Sequence, residues 1–166
     1  AEQDPELYWR TLTEACRLLW ASSPVPAEAV AGVALTTQRC TVIPCDGAGQ
    51  PLRPAIHWLD QRRCDDLEPL GGAIGLGLKV VGAQGVVDRA MAECEAWWLR
   101  RRQPEVWAKT DKLVFLSGFL THRLVGRWVD SVGCQVGYVP FDYRRLRWAG
   151  RGDWKWRAFP VEPRQL

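Results

Sequence analysis

Few residues in this chain could carry chemistry. Its only histidines are His57 and His122, and its six cysteines, Cys16, Cys40, Cys45, Cys64, Cys94 and Cys134, include no C-x-x-C pair and none beside a histidine. A structural zinc site needs paired ligands at short spacing, so no metal site is legible. Were residues 40–45 one strand, their odd spacing would put the Cys40 and Cys45 thiols on opposite faces, out of bonding reach. Reduced, mostly buried thiols in a cytoplasmic protein are the expectation. Two histidines without a nucleophile elbow anchor no Ser-His-Asp or Cys-His set. The acid–base candidates are Asp60, Asp65, Asp66 and Asp130. Asp60 precedes Gln61-Arg62-Arg63, and neighbouring guanidiniums keep a carboxylate charged, which suits an ion pair better than a neutral general acid. Asp65-Asp66 reads as a solvated helix face.

Residues 71–79, Gly-Gly-Ala-Ile-Gly-Leu-Gly-Leu-Lys, imitate a phosphate loop without meeting its requirement. Such a loop needs lysine directly after the last glycine and Ser or Thr next, because those groups reach the terminal phosphates and Mg²⁺. Here Leu78 intervenes and Val80 follows Lys79. A dinucleotide fingerprint fails too, since Val80 stands where its third glycine belongs. Residues 71–85 are therefore expected to be a loop. Near the C-terminus, Arg144, Arg145, Arg147, Arg151, Lys155, Arg157 and Arg164 interleave with Trp148, Trp154 and Trp156. Single-strand nucleic-acid grooves use that mixture, yet Asp142, Asp153 and Glu162 dilute it, and packed tryptophans account for it without a nucleic-acid partner.

The elements that must position these residues read as α/β. Asp4-Pro5-Glu6 starts a helix with a capping side chain, proline at the first helical position and an acid in the first turn. Tyr8, Leu12, Ala15, Cys16 and Leu19 give it a buried face, and Ser22-Ser23-Pro24-Val25-Pro26 ends it. Residues 31–35 form an apolar run, as in a strand buried on both faces. Polar Thr36-Thr37-Gln38-Arg39 follows, then strand again over 41–45 and a turn at Asp46-Gly47-Ala48-Gly49. Pro51 and Pro54 bracket an extended return into Ala55-Ile56-His57-Trp58. Residues 60–70 suit a short helix. Met91, Cys94, Trp97 and Trp98 mark one helical stripe ending near Arg102 and Pro104. Lys112 to Leu116 reads as a strand, and Ser117 caps a helix that runs through Leu124 to a C-terminal Gly126. Strands alternating with helices indicate α/β.

At 166 residues, 47% hydrophobic and 25% charged, the chain is one domain or part of one. It is neither disordered nor built to span a membrane. A net charge of +3 requires no polyanionic partner.

Three blocks carry a family resemblance. The first runs from Thr36-Thr37-Gln38-Arg39-Cys40-Thr41-Val42-Ile43-Pro44-Cys45-Asp46 through Pro51-Leu52-Arg53-Pro54-Ala55-Ile56-His57-Trp58-Leu59-Asp60-Gln61-Arg62. The second is Trp97-Trp98-Leu99, Pro104-Glu105-Val106-Trp107, then Lys112-Leu113 to Ser117-Gly118-Phe119-Leu120-Thr121-His122-Arg123-Leu124-Val125-Gly126. The third runs from Asp130-Ser131 through Phe141-Asp142-Tyr143 to Trp148. In order and spacing they resemble the first half of the FGGY carbohydrate kinases, a group with glycerol kinase, xylulokinase and gluconokinase. The resemblance implies an α/β, ribonuclease H-like domain of the actin/hexokinase superfamily, incomplete, with a mixed sheet flanked by helices.

Further expectations come from the resemblance alone. Residues 1–166 are a partial substrate-side domain lacking the family's first phosphate-binding hairpin and its C-terminal ATP domain. An intact parent would use ATP and Mg²⁺ to phosphorylate a hydroxyl of a sugar or polyol, with an aspartate deprotonating that hydroxyl. This chain would hold no catalytic residue and be inactive alone. Gln38, Arg39 and Cys40 match substrate-binding positions, Cys40 standing where glycerol kinase has a glutamate. Arg39 would offer a fork of donors to vicinal hydroxyls, or else form an ion pair at a strand end. Asp130 matches a recurrent family aspartate. An exposed sheet edge would allow homo-oligomers. The competing reading is a non-catalytic sugar-binding or dimerisation module of the same fold.

Overall fold

A computed structural model describes residues 1–135 and 139–166; residues 136–138, inside the third block, lie outside the described residues. The elements are β1 (Glu2–Gln3), α1 (Pro5–Ser22), β2 (Val42–Cys45), β3 (Ala55–Ile56), α2 (Gly72–Val80), α3 (Gln84–Ala92), α4 (Glu95–Arg102), α5 (Pro104–Lys109), β4 (Lys112–Phe115), α6 (Leu116–Val125), β5 (Phe141–Asp142), β6 (Arg147–Trp148) and α7 (Lys155–Ala158), with three short 3-10 turns. The main sheet has the order β1-β3-β2-β4, and β5-β6 form a separate ribbon. The class is α/β as expected. Within the sheet, each described pairing is antiparallel rather than mixed, because β2 turns back directly into β3 and β4 returns against β2's other side.

Asp4 caps α1, accepting from the Glu6 amide at 3.0 Å, and Pro5 opens it. Of the expected face, Tyr8 and Leu12 reach the core, joined by Trp9. Ala15, Cys16 and Leu19 are exposed, since the core contacts of α1 come from its first half. Residues 31–35 are not a strand and are largely exposed: both sides of β2 are taken, by β3 and β4, so the run finds no partner there.

Two packed clusters hold the elements. Ile43, Cys45 and Ala55 of the sheet meet Leu116, Phe119 and Leu120 of α6. Leu70, Met91, Cys94 and Ala96 meet Ala158, Phe159 and Val161. The second cluster explains two departures. Residues 71–85 hold helix α2 and the start of α3 instead of a loop, because Ile74 and Leu78, one turn apart, pack on that cluster, and burial overrides the low helix propensity of glycine. The Met91–Trp98 stripe spans two helices, broken at Cys94, whose backbone is extended (φ −75°, ψ 120°) and whose thiol is buried. Residues 60–70 contain a turn and no helix.

Gly75 is a glycine for lack of room: a Cβ there would stand 1.9 Å from the Leu70 carbonyl oxygen. Alanine in a helix interior ordinarily gains about 1 kcal/mol over glycine. Gly75→Ala is expected to do the reverse, lowering unfolding free energy by about 1–3 kcal/mol in urea melts. A stabilised variant would mean that α2 does not seat on Leu70.

Candidate functional site

Residues 38–41 enter β2, and each is held differently. Thr41 is buried. Gln38 Nε2 donates to the Tyr8 hydroxyl and to Thr41 Oγ1, both at 3.0 Å, and the Tyr8 hydroxyl donates to Gln3 Oε1 at 3.0 Å. Cys40 takes a left-handed backbone with φ 56°, uncommon for a residue with a side chain. Arg39, between these pinned neighbours, is exposed and has no ion pair among the described residues. The strand-end ion pair is thus not formed among the described residues.

Around Cys40 stand groups from distant parts of the chain. Burial pushes its thiol up, the Glu95 carboxylate adds to that and Arg39 opposes it. Burial also raises the Tyr143 phenol, with Cys40 contributing. Glu95, the first residue of α4, is pushed up to about 7, first by burial; its own backbone amide opposes this, Asp60 adds and Arg62 opposes. One turn on, the Trp98 ring lies under two guanidiniums, Arg62 at 4.2 Å and Arg53 at 5.6 Å.

Asp60 has the opposite character. Its side chain is only 6% exposed, and Arg62 reaches it through Nε at 2.5 Å and Nη2 at 2.8 Å. Hydrogen bonding to Arg62 is the largest influence, and the carboxyl lies far below the usual carboxylate range despite burial. Asp60 is therefore the ion-pair partner that its arginine neighbours indicate, not a proton donor. Asp65 and Asp66 are exposed on a turn, not a helix, and pair with Arg63 and Arg102.

Asp130 fastens the chain after α6. Its Oδ2 accepts from the Ser117 hydroxyl at 2.7 Å and from Gln135 Nε2 at 3.3 Å, and its Oδ1 accepts from the Ser131 amide at 2.8 Å. Ser117 accordingly lies inside α6 rather than capping it. Gly126 ends the helix in a left-handed conformation, φ 69°, as its position indicates. Trp156 Nε1 donates to the carbonyls of Ala149 and Gly150, and Trp97 Nε1 to that of Ala158; these indoles are structural. Burial raises the Cys45 and Cys94 thiols to about 12 and the Cys64 thiol to about 11, so none is a ready nucleophile. Cys16 is exposed and Cys134 half-buried. A cavity of about 400 Å³ runs along β4, lined by Trp128, Asp130, Phe141 and Trp148 among others; Gln38, Arg39 and Cys40 do not line it.

Glu95 and Tyr143, two groups absent from the sequence-based site, thus come within electrostatic range of Cys40. Glu95 had a signal: it is an acid inside the stripe between Met91 and Trp98. Tyr143 had none, because only the folded chain brings it to Cys40.

Residues 1–149 match a family model described as FGGY family of carbohydrate kinases, N-terminal domain. A xylulose kinase from Streptomyces rubiginosus is 31% identical over 141 residues, which is 82% of this chain and 28% of that protein. A glycerol kinase from Thermococcus gammatolerans is 29% identical over 152 residues, 89% of this chain and 30% of that protein. Among solved structures, a ligand-bound xylulose kinase from Lactobacillus acidophilus superposes over 100% of this chain and 33% of its own, with TM-score 0.74 and 20% identity. A gluconate kinase from the same organism gives 0.72 and 19%, over 100% of this chain and 32% of its own. The chain spans about 30% of the length of the curated relatives it matches.

Proposed function

The chain belongs to the FGGY family of carbohydrate kinases, and from that premise we propose that it is the acceptor-binding part of a cytoplasmic, ATP-dependent kinase for a sugar or polyol. The observation that carries this reading is Arg39, exposed and without an ion pair among the described residues, between the hydrogen-bonded Gln38 and the buried Thr41. A guanidinium presents donors in a planar fork that matches the spacing of adjacent hydroxyls. Gln38 sets the loop, and Cys40 offers a neutral thiol in place of a charged contact.

Family members use ATP and Mg²⁺, which supply the phosphoryl group and neutralise its charge. The described residues offer no cradle for a nucleotide: the glycine-rich stretch is helix α2, and its lysine is misplaced for a phosphate loop. This chain's own part is to bind and orient the acceptor, and alone it should not turn over. A coupled ADP-release assay checks that, and clear turnover by the 166-residue chain would refute it.

Calorimetric titration with D-xylulose, glycerol and D-gluconate tests the binding role. Arg39→Ala is expected to weaken the best probe about 10- to 100-fold, the worth of hydrogen bonds from a charged donor, and Arg39→Lys to restore only part. An unchanged affinity would remove Arg39 from the site.

One observation favours a second reading, a non-catalytic module that pairs with a copy of itself. Among the described residues, β4 neighbours only β2 in the main sheet, and an open edge is a template for another strand. Sedimentation equilibrium distinguishes the two, since a strictly monomeric particle excludes pairing through β4.

A further inference from the structure

We infer that Tyr8 is a positioning residue for the acceptor: acting through Gln38, its hydroxyl holds the backbone corner from which Arg39 reaches the acceptor's hydroxyls. The inference rests on the acceptor-binding reading and adds to it a residue of α1, 30 positions before Gln38 in the chain.

Residues 38–41 form a corner under strain. Cys40 has φ 56°, a left-handed backbone that is uncommon for a residue with a side chain. Such a conformation persists only where its surroundings over-determine it. The far end is fixed by α6: Thr41 is fully buried, and its carbonyl accepts from the Leu116 amide at 3.0 Å. Gln38 Nε2 reaches across the corner to Thr41 Oγ1 at 3.0 Å, closing a bridge over Arg39 and Cys40.

That bridge needs an oriented amide, and Tyr8 orients it. An amide nitrogen has two donors; with one on Thr41, the other goes to the Tyr8 hydroxyl at 3.0 Å. The hydroxyl donates its own proton to Gln3 Oε1 at 3.0 Å, which leaves it an acceptor toward Gln38. Gln3 is held in β1 opposite Ala55, and Tyr8 packs on the cluster of Ile43 and Phe119. The order runs outward from the sheet: Gln3 orients Tyr8, Tyr8 orients Gln38, and Gln38 with Thr41 frames Arg39. Arg39 is exposed, so the backbone beneath it sets where its side chain starts. Holding a binding group in place before the ligand arrives lowers the ordering cost of binding. The Tyr8 hydroxyl therefore strengthens acceptor binding without meeting the acceptor.

The test is calorimetric titration of the whole chain with D-xylulose, glycerol and D-gluconate, in wild type, Tyr8→Phe, Arg39→Ala and the double variant. Tyr8→Phe keeps the packed ring and removes only the hydroxyl. It should weaken the best probe about 3- to 10-fold, the worth of one neutral hydrogen bond. It should also shrink the Arg39→Ala penalty by a similar factor, because the two residues act on one contact. A hydroxyl that only stabilises the fold would lower Tm and leave both values alone. Gly75→Ala, destabilised in the other cluster, is the control and should keep wild-type affinity with a lower Tm. Tyr8→Phe with wild-type affinity, or with an undiminished Arg39→Ala penalty, overturns the inference and leaves the acceptor-binding reading intact. An equal weakening by Gly75→Ala overturns it too, since instability alone would then move the affinity. No binding of any probe to wild type defeats that reading and this inference with it. Should Tyr8→Phe fail to fold, Thr41→Val removes the other acceptor of the same amide and should give the same loss and the same coupling; unchanged affinity there overturns the proposal.

Discussion

Asp60→Ala is expected to destabilise the fold by about 3–5 kcal/mol, the usual cost of removing one partner from a buried ion pair. The cost arises because this carboxylate takes two donors from Arg62 and also pairs with the N-terminal ammonium of Ala1; without it Arg62 would keep only Glu2 as an acidic partner, over the Trp98 ring. Asp65, 72% exposed in its pair with Arg63, supplies the control: its alanine variant should change stability by no more than about 0.5 kcal/mol. Urea unfolding of both variants at pH 7 gives the comparison, and equal small effects would contradict the buried pair. The pH dependence has a sign as well. Asp60 is depressed below its ordinary 3.8, so its contribution is complete above that pH and drains away as acid protonates the folded protein. Glu95 works the other way: raised from 4.5 to about 7, it binds more proton folded than unfolded. Its contribution is therefore full in acid and is lost as pH climbs from about 4.5 through 7. Glu95→Gln should remove the loss that Glu95 contributes above about pH 4.5, and Asp60→Asn the loss that Asp60 contributes in acid.

The chemistry of short segments was legible in the sequence, and distant neighbours were not. Asp4-Pro5-Glu6, the 46–49 turn and Gly126 each declare themselves within four residues, because caps and turns are satisfied locally. Asp46 Oδ1, for instance, accepts from the amides of Ala48 and Gln50 at 2.9 and 2.8 Å. The β2 and β4 runs were readable as strands, and the order of blocks along the chain led to the right family and α/β class. What failed depended on a partner. Residues 31–35 have the composition of a buried strand and no strand beside them. Residues 72–80 have the composition of a loop, yet Ile74 and Leu78 find Met91 and Phe159 in one cluster. The candidate site divided similarly. Gln38, Arg39 and Cys40 came from a contiguous motif, whereas Glu95 and Tyr143 lie 55 and 103 positions beyond Cys40 in the numbering, and only the folded chain brings them within electrostatic range of its thiol.

Phe119→Ala is expected to cost a comparable 3–5 kcal/mol and to reach the binding loop as well. Phe119 is fully buried where α6 meets the sheet, with Ile43, Cys45 and Ala55 against it in one cluster. On its outer side Arg123 lies 5.0 Å from the ring and pairs with Glu6, so the same residue helps seat α1, which carries Tyr8. Removing the ring opens a void beneath β2, the strand that residues 38–41 enter, and slackens the α1–α6 contact that holds Tyr8 against Gln38. For a domain of this size each kcal/mol lowers Tm by roughly 2–4 °C, so the melting curve should fall by roughly 6–20 °C. Amide hydrogen exchange should accelerate at Thr41 and Val42 along with α6. Leu18→Ala and Leu19→Ala, at side chains 63% and 58% exposed on the same α1, should alter Tm little and leave exchange at Thr41 untouched. If Phe119→Ala lost less than about 1.5 kcal/mol, the figure for a tolerated swap, α6 would not be packed on the sheet and the support of the Arg39 loop would have to lie elsewhere.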